Sequence, residues 1–247
     1  MHIAAIKTHK ITTADTSICE ILDRYVTELP ERSVLAVTSK IVAICEGRVV
    51  TSTEKSKAEL VREEASYYIP PEESKYHITM TVTRGMLVAT AGIDESNING
   101  GYVLWPADPQ KSANLIREYL MRRFGIKECG VVITDSRTTP LRWGVTGAAI
   151  AYSGFEPVRD MIGTPDIFGR LLKVTKVNVY DSLAGAAVFV MGEGNEQTPL
   201  ALITELPSVA FVDHNPTDEE VASLQISLDE DLFAPLLVNA PWKKGAK

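Results

Sequence analysis

The sequence has few of the residues that build common metal and disulfide sites. Its 247 residues include only three cysteines and four histidines. Cys19, Cys45 and Cys129 are odd in number, lie far apart and form no C-x-x-C pair, which argues against a thiolate zinc site. The histidines show no metal-ligand spacing. This use of cysteine predicts a reducing, cytoplasmic compartment.

Long apolar runs and excess positive charge are also missing. No segment approaches the roughly eighteen apolar residues that span a bilayer, and the first seven residues lack the apolar run of a signal peptide. The formal net charge is -7, which argues against nucleic acid as the main partner. Phosphorylated small molecules remain possible, because bound cations can supply positive charge. We therefore expect a soluble protein that contacts neither membrane nor nucleic acid.

The standard motifs for nucleotide binding and for serine hydrolysis do not occur. There is no G-x-x-x-x-G-K-[ST], no G-x-G-x-x-G after a strand and no G-x-S-x-G; residues 192–194 form only a G-x-G fragment. Apolar residues make up 45% and charged residues 23% of the chain, as in ordinary globular proteins. The length fits one large domain or two small lobes that share a core.

The apolar periodicity predicts an alternation of strands and helices. Asp108 is placed to cap a helix that begins at Pro109 and ends before Gly125, and Thr217 and Glu220 have the spacing of a capping box. We predict strands at residues 3–6, 33–38, 78–83, 86–89, 131–134 and 200–203, and further helices at 18–29, 54–68 and 181–191. Tyr102, Trp105 and Trp143 are interpreted as core or interface residues. The pattern indicates α+β or mixed α/β structure without regular βαβ repetition.

Four acidic segments lie beside glycines or at predicted element ends, at residues 91–97, 133–137, 179–181 and 191–194. A single aspartate at a strand end is more often a turn or cap residue. Several carboxylates at strand ends can instead converge on Mg²⁺ or Mn²⁺, which prefer oxygen ligands. Glycines beside them let the backbone approach a phosphate closely. The set as a whole predicts a site for a metal and a phosphorylated ligand.

Seven short runs occur in an order that identifies a family. They are Val37–Val42 with Glu46–Arg48, Val82–Gly85, Ala91–Asp94 with Ser96 and Asn97, Pro106–Pro109, Ile133–Asp135, Gly169 and Arg170 with Val174 and Thr175, and Met191–Gly194. Together they resemble the coenzyme F420-0:L-glutamate ligase (γ-glutamyl ligase) family, from about residue 3 to residue 203.

The resemblance implies a fold, an assembly and a reaction. The fold is α+β, a two-lobed mixed α/β arrangement with mainly antiparallel sheets. It forms a single domain over residues 1–247, with residues 205–247 as a C-terminal extension. The family further implies a homodimer, GTP or ATP as co-substrate and two Mg²⁺ or Mn²⁺ ions per site. A γ-phosphoryl group would convert a carboxylate of the acceptor into an acyl phosphate, which the amine of L-glutamate then attacks.

The resemblance also implies roles for individual residues. The metal ligands would be Asp94, Asp135, Ser136 and Glu193. The nucleotide contacts would be Ser39, Lys40, Asn97, Met191, Gly192, Gly194, Asn195 and Glu196. Arg84 and Arg142 would act in catalysis by clamping phosphate or carboxylate groups. His9, Lys10 and Thr12 would contact the substrate. The sequence indicates no general base for the incoming amine.

Some positions depart from the family pattern. A nucleotide-binding lysine of the family falls on Ile44, a Gly-Arg pair falls on Thr138 and Thr139, and an acidic residue falls on Ser182. Because the positively charged side chains of the family are absent at Ile44 and Thr139, we predict that this protein discriminates less between GTP and ATP. Their absence also favours a reduced folate over the phosphodiester-bearing deazaflavin as acceptor, because folates carry no phosphate; Lys10 would meet the folate carboxylate.

Two other classes of function remain open from the sequence. One is a non-catalytic nucleotide-binding or regulatory protein, and the other is a metal-dependent phosphohydrolase. A mass gain of one glutamyl unit on the acceptor would distinguish the ligase from both.

Overall fold

A computed structural model describes residues 1–96, 98 and 100–247. Its strands, in chain order β1 to β13, are His2–Ile6, Ser33–Thr38, Val49–Thr51, Tyr67–Ile69, Met80–Thr83, Met86–Ala89, Gly101–Val103, Cys129–Thr138, Val145–Ser153, Val158–Asp160, Lys176–Asn178, Leu200–Thr204 and Lys243–Lys244. Its α-helices, α1 to α7, are Ile18–Tyr25, Ser39–Cys45, Lys57–Glu64, Pro109–Phe124, Val179–Met191, Asp218–Ala222 and Ala234–Leu237. The predicted mixed α/β class with mostly antiparallel sheets is confirmed.

A five-stranded sheet forms the centre of the fold. Its order is β1-β12-β2-β8-β9, and only the β2–β8 pair is parallel. Val34–Val37 are completely buried because alternate side chains of β2 point into two different apolar layers. Helices α1 and α4 contribute to the layer on one face, and α5 contributes to the layer on the other.

A second, four-stranded sheet has the order β13-β4-β5-β6. Strand β5 begins at Met80, later than the predicted strand 78–83, and its buried side chains are threonines. Thr81 and Thr83 are buried, whereas Met80 and Val82 are only partly buried. The Thr81 hydroxyl donates to the Val88 carbonyl at 2.6 Å and accepts from the Ala91 amide at 3.0 Å. These bonds satisfy a polar side chain in the interior, which alternation of hydropathy alone does not indicate.

The helix predictions succeeded where the capping signals are complete. Asp108 accepts from the Lys111 amide at 3.0 Å, and Gly125 ends α4 with φ +67°. The predicted helix 54–68 was wrong at both ends. A capping box at Ser56 starts α3 later, and the chain becomes extended at Ala65 before entering β4.

Two further boundaries also differ from the prediction. Helix α1 ends at Tyr25, although the apolar pattern continues to Leu29. Strand β8 does not end at Thr134 but continues to Thr138, so Asp135 lies within the strand.

The segment after residue 205 returns to the second sheet. Strand β13 pairs with Tyr67 and Tyr68 of β4. The Gly245 amide donates to the Ser66 carbonyl at 2.8 Å, and Lys247 Nζ lies 2.5 Å from a Glu64 oxygen. No helix in the described ranges is both long and apolar enough to cross a membrane.

Candidate active site

A cavity of about 400 Å³ opens where β2 ends beside Thr134 of β8. Five segments line it: the chain after β1, the start of α2, residues near β7, the middle of β8, and the loop after α5. The predicted site residues that line this cavity are His9, Lys10, Ser39, Lys40, Asp94, Asp135, Ser136, Met191, Gly192, Glu193, Gly194, Asn195 and Glu196. The structure thus brings together most of the residues that the family resemblance selected.

Asp94 and Lys40 form an ion pair on one wall of the cavity. Lys40 Nζ lies 2.5 Å from Asp94 Oδ2 and 2.9 Å from the Ser96 hydroxyl. Asp94 also accepts from the Ser96 amide at 2.6 Å. Burial alone would raise the pKa of Asp94, but the hydrogen bonds from Lys40 and Ser96 outweigh it and lower that pKa below its ordinary value. Asp94 is therefore an anion at neutral pH.

Asp135 also lines the cavity and lies on β8, next to a change in strand register. The pairing with β9 shifts between Ile133 and Thr134, and such a bulge redirects the side chains that follow it. Oδ1 accepts from the Ser136 amide at 2.7 Å, and Oδ2 accepts from the Trp105 indole N–H. Burial raises the pKa of Asp135 to about 6, and the nearby charge of Asp94 adds to this effect.

The loop that follows α5 forms part of the cavity lining. Gly192 ends the helix with φ +82°, and a side chain there would collide with Glu196. The Gly194 amide donates to Glu196 Oε2 at 2.8 Å. The Ser136 hydroxyl donates to Glu193 Oε1 at 2.6 Å, which connects the loop to β8.

His9 lies at another edge of the cavity and is held on both sides. Its Nδ1 is 2.7 Å from the Tyr25 hydroxyl oxygen, and its Nε2 is 2.8 Å from Asp15 Oδ1. The Thr8 amide donates to the Gln197 carbonyl at 2.8 Å, so this segment is joined to the loop after α5.

Three predicted residues in the described part of the chain are not among those that line the cavity. Arg84 lies at the β5–β6 turn and donates to the Ala107 carbonyl at 2.5 Å. Arg142 lies in the exposed turn between β8 and β9. Thr12 is exposed and donates from its amide to Asp15 at 2.8 Å. Asn97 lies outside the described residues.

The sequence did not reveal two features of the site. Trp105 was predicted to be a core or interface residue, and it is buried, but its N–H also contacts Asp135. An apolar wall formed by Ile11, Ile41, Ile44, Val103 and Leu104 also lines the cavity. The sequence of a buried aromatic residue is the same whether or not its side chain contacts a carboxylate. The one signal available for Trp105 was its position directly before the Pro106–Pro109 run.

The chemistry of the cavity fits hard divalent cations. Asp94, Asp135, Ser136 and Glu193 present only oxygen ligands, which Mg²⁺ and Mn²⁺ prefer. Within the described ranges, no three His, Cys, Asp or Glu side chains form a ready-made metal cluster. In this arrangement Asp94 is paired with Lys40, and Glu193 with Ser136. Ion binding would therefore require these pairs to separate or share their oxygens.

The chain matches the family model described as F420-0:Gamma-glutamyl ligase over residues 5–205. It is 37% identical to the coenzyme F420:L-glutamate ligase of Methanopyrus kandleri over 199 residues, 72% of this chain and 77% of that protein. It is 32% identical to the protein of the same name from Methanococcus maripaludis over 234 residues, 89% and 91% of the two chains. A third such protein, from Methanosarcina mazei, is 33% identical over 213 residues, 80% and 82%. The chain therefore belongs to the F420-0:γ-glutamyl ligase family and is a glutamate ligase.

Proposed function

We propose that this ligase joins the amino group of L-glutamate to a carboxylate of F420-0. The family match and the names of the relatives support this acceptor. The expected preference for a reduced folate finds no support in these comparisons. The single observation that carries the proposal is that acidic residues and glycines from distant parts of the matched residues 5–205 meet in one cavity, among them Asp94, Asp135 and Glu193.

The reaction requires activation of a carboxylate, because oxide is a poor leaving group. The γ-phosphoryl group of the nucleotide transfers to an acceptor carboxylate oxygen, which gives an acyl phosphate and a nucleoside diphosphate. The glutamate nitrogen then attacks the acyl carbon, the C–N bond forms, and phosphate leaves with its oxygen while the amine loses a proton. The family thus requires a nucleotide co-substrate.

The residues of the cavity suit phosphoryl transfer and the attack on the acyl phosphate, because both steps involve negatively charged phosphate. Lys40, in the first turn of α2, would contact nucleotide phosphate together with Ser39, and the Gly192–Glu196 loop would cover it. Asp94, Asp135, Ser136 and Glu193 would hold two Mg²⁺ or Mn²⁺ ions. When bound, such ions would neutralise the negative charge of the phosphate groups.

The remaining predicted site residues would contact the acceptor, other substrate groups or the nucleotide. His9 and Lys10 would contact the acceptor from the edge of the cavity. Arg84, Arg142 and Thr12 would act only on substrate groups that extend beyond the cavity. Asn97 keeps its proposed contact with the nucleotide.

We also propose that residues 1–247 form one two-lobed domain, with 205–247 as its extension, and that the protein is a homodimer. Large apolar side chains are exposed on the β8–β9 turn, between β10 and β11, and on α5; they include Leu141, Trp143, Ile167, Phe168 and Phe189. Exposed apolar surface of this kind is typical of association sites.

The deciding experiment supplies purified protein with L-glutamate, Mg²⁺ or Mn²⁺, and either GTP or ATP. F420-0 and a reduced folate are offered in separate reactions, and products are identified by mass spectrometry. We expect F420-0 to gain one glutamyl unit while nucleoside diphosphate and phosphate appear in equal amounts. Glutamylation of the folate alone would contradict the proposed acceptor, and phosphate release without any glutamyl product would indicate a phosphohydrolase.

A further inference from the structure

We propose that Trp105 is a positioning residue that fixes the Asp135 carboxylate relative to Asp94. The inference rests on the proposed role of these two carboxylates as metal ligands. It concerns a side chain that would not itself touch an ion, since the indole has no acceptor atom for a cation.

The first observation is the contact itself. Trp105 is 3% exposed, and the only hydrogen-bond donor of its side chain, Nε1–H, is directed at Asp135 Oδ2. The other oxygen, Oδ1, accepts from the Ser136 amide at 2.7 Å. Because each oxygen receives one fixed donor, the plane of the carboxylate is defined, and each oxygen keeps a lone pair for a cation.

The second observation is that Asp94 is paired directly with Val103, two residues before Trp105. Asp94 and Val103 exchange two backbone hydrogen bonds, at 3.0 and 2.9 Å. The Trp105 carbonyl accepts from Arg48 Nε at 3.1 Å, and Arg48 is in turn paired with Glu64 at 2.8 Å. Asp135 instead belongs to β8 of the central sheet. The indole–carboxylate bond therefore connects the segment that carries one ligand to the strand that carries the other.

The third observation is the space made for the indole. Gly92, two residues before Asp94, has φ +70°, and a Cβ at this position would lie 2.2 Å from Trp105 Nε1. Any side chain there would displace the N–H from Asp135. The absence of a side chain at Gly92 therefore lets the indole lie close to the backbone. Glycine also adopts the positive φ that other residues rarely take.

Loss of this bond should weaken metal binding without removing a ligand. Groups that orient metal ligands typically contribute ten- to a hundredfold to metal affinity or activity. A misoriented Asp135 would still carry its charge, but the two carboxylates would no longer be held at one separation. We expect the defect to appear in Mn²⁺ affinity and kcat, rather than in the KM for glutamate.

The test compares two replacements of Trp105 with a matched control. Trp105→Phe removes the N–H and some volume. Replacement of Trp105 by benzothienylalanine exchanges the N–H for sulfur and keeps the shape of the ring. Trp242→Phe is the control, because Trp242 also donates its indole N–H, to the Leu237 carbonyl at 2.7 Å, but in the C-terminal segment. Free Mn²⁺ is measured by electron paramagnetic resonance with a non-hydrolysable nucleotide, and folding by thermal unfolding in EDTA.

We expect both Trp105 replacements to raise the Kd for Mn²⁺ about ten- to a hundredfold, and Trp242→Phe to leave it unchanged. Gly92→Ala should reproduce the effect. A folded benzothienylalanine protein that binds Mn²⁺ like the unmodified protein would overturn the positioning role, provided that Asp135→Asn weakens binding. If Asp135→Asn itself binds Mn²⁺ normally, the proposed metal site is wrong, and the inference fails with it.

Discussion

At the scale of single residues, Asp135 is a carboxylate whose environment disfavours its charge. Burial raises its pKa to about 6 from an ordinary value of 3.8. Between these pH values the folded protein therefore holds more protons than the unfolded chain. It follows that the contribution of Asp135 to the free energy of unfolding falls as pH rises from about 4 to about 6, by roughly 2–3 kcal/mol.

Asp135→Asn removes this titratable group. We therefore expect the free energy of unfolding of the variant to lack the decrease that Asp135 causes between about pH 4 and about pH 6. The measurement is the free energy of unfolding by urea from pH 4 to pH 8, in EDTA, for both proteins. The difference between the two curves isolates Asp135 from groups such as Asp94, whose lowered pKa acts in the opposite direction. Parallel curves for the two proteins would show that Asp135 does not titrate in this range.

Ile44 is a second residue whose place in the structure bears on function. It is buried with Ala43 and Val103, and it also lines the cavity. An apolar side chain cannot make the charged contact that the family lysine would make. We expect the kcat/KM values for GTP and ATP to differ by less than about a thousandfold, or about 4 kcal/mol.

Steady-state kinetics with both nucleotides, at one metal concentration, measures this ratio. Asp135→Asn serves as the blank for contaminating nucleotide hydrolysis. A preference for GTP above a thousandfold would mean that the base is recognised by other groups and that Ile44 does not determine nucleotide choice.

At the scale of elements, local signals decided what could be predicted from sequence. Helix α4 was correctly bounded because Asp108, Pro109 and Gly125 act within the helix itself. The region 54–68 was misjudged because β4 becomes a strand only through pairing with β5 and β13. The contact between Trp105 and Asp135 spans 30 residues, so no local pattern could indicate it.

The C-terminal strand permits a prediction about stability. Removal of residues 241–247 deletes the backbone bonds from Gly245 and Ala246 to Ser66 and Arg62, and the pair between Lys247 and Glu64. At about 0.5–1.5 kcal/mol per net hydrogen bond, the loss is about 2 kcal/mol. The melting temperature should therefore fall by roughly 4–8 °C for a protein of this size.

Thermal unfolding monitored by circular dichroism tests the truncation. Lys247→Gln is the matched control, because it removes the ion pair and leaves the strand; its effect should be smaller. An unchanged melting temperature in the truncated protein would show that this segment does not stabilise the second sheet.

At the scale of the whole molecule, the site is assembled from distant parts of the chain. Lys40 reaches Asp94 from α2, and Ser136 reaches Glu193 across 57 positions. Most of the site residues that the family resemblance suggested line the cavity. The resemblance did not separate these residues from Arg84 and Arg142, which it also suggested but which do not line the cavity.

The exposed apolar side chains lead to a prediction about assembly. Trp143 is 93% exposed on the β8–β9 turn, Phe168 is 90% exposed between β10 and β11, and Phe189 is 88% exposed on α5. Leaving such residues in water is unfavourable, and their burial against a second copy would stabilise a dimer. Trp143→Asp and Phe168→Asp should shift the protein from dimer to monomer in sedimentation velocity at micromolar concentration. Leu232→Asp, at an equally exposed leucine of the C-terminal segment, should leave the dimer intact; a monomeric unmodified protein would contradict the proposed assembly.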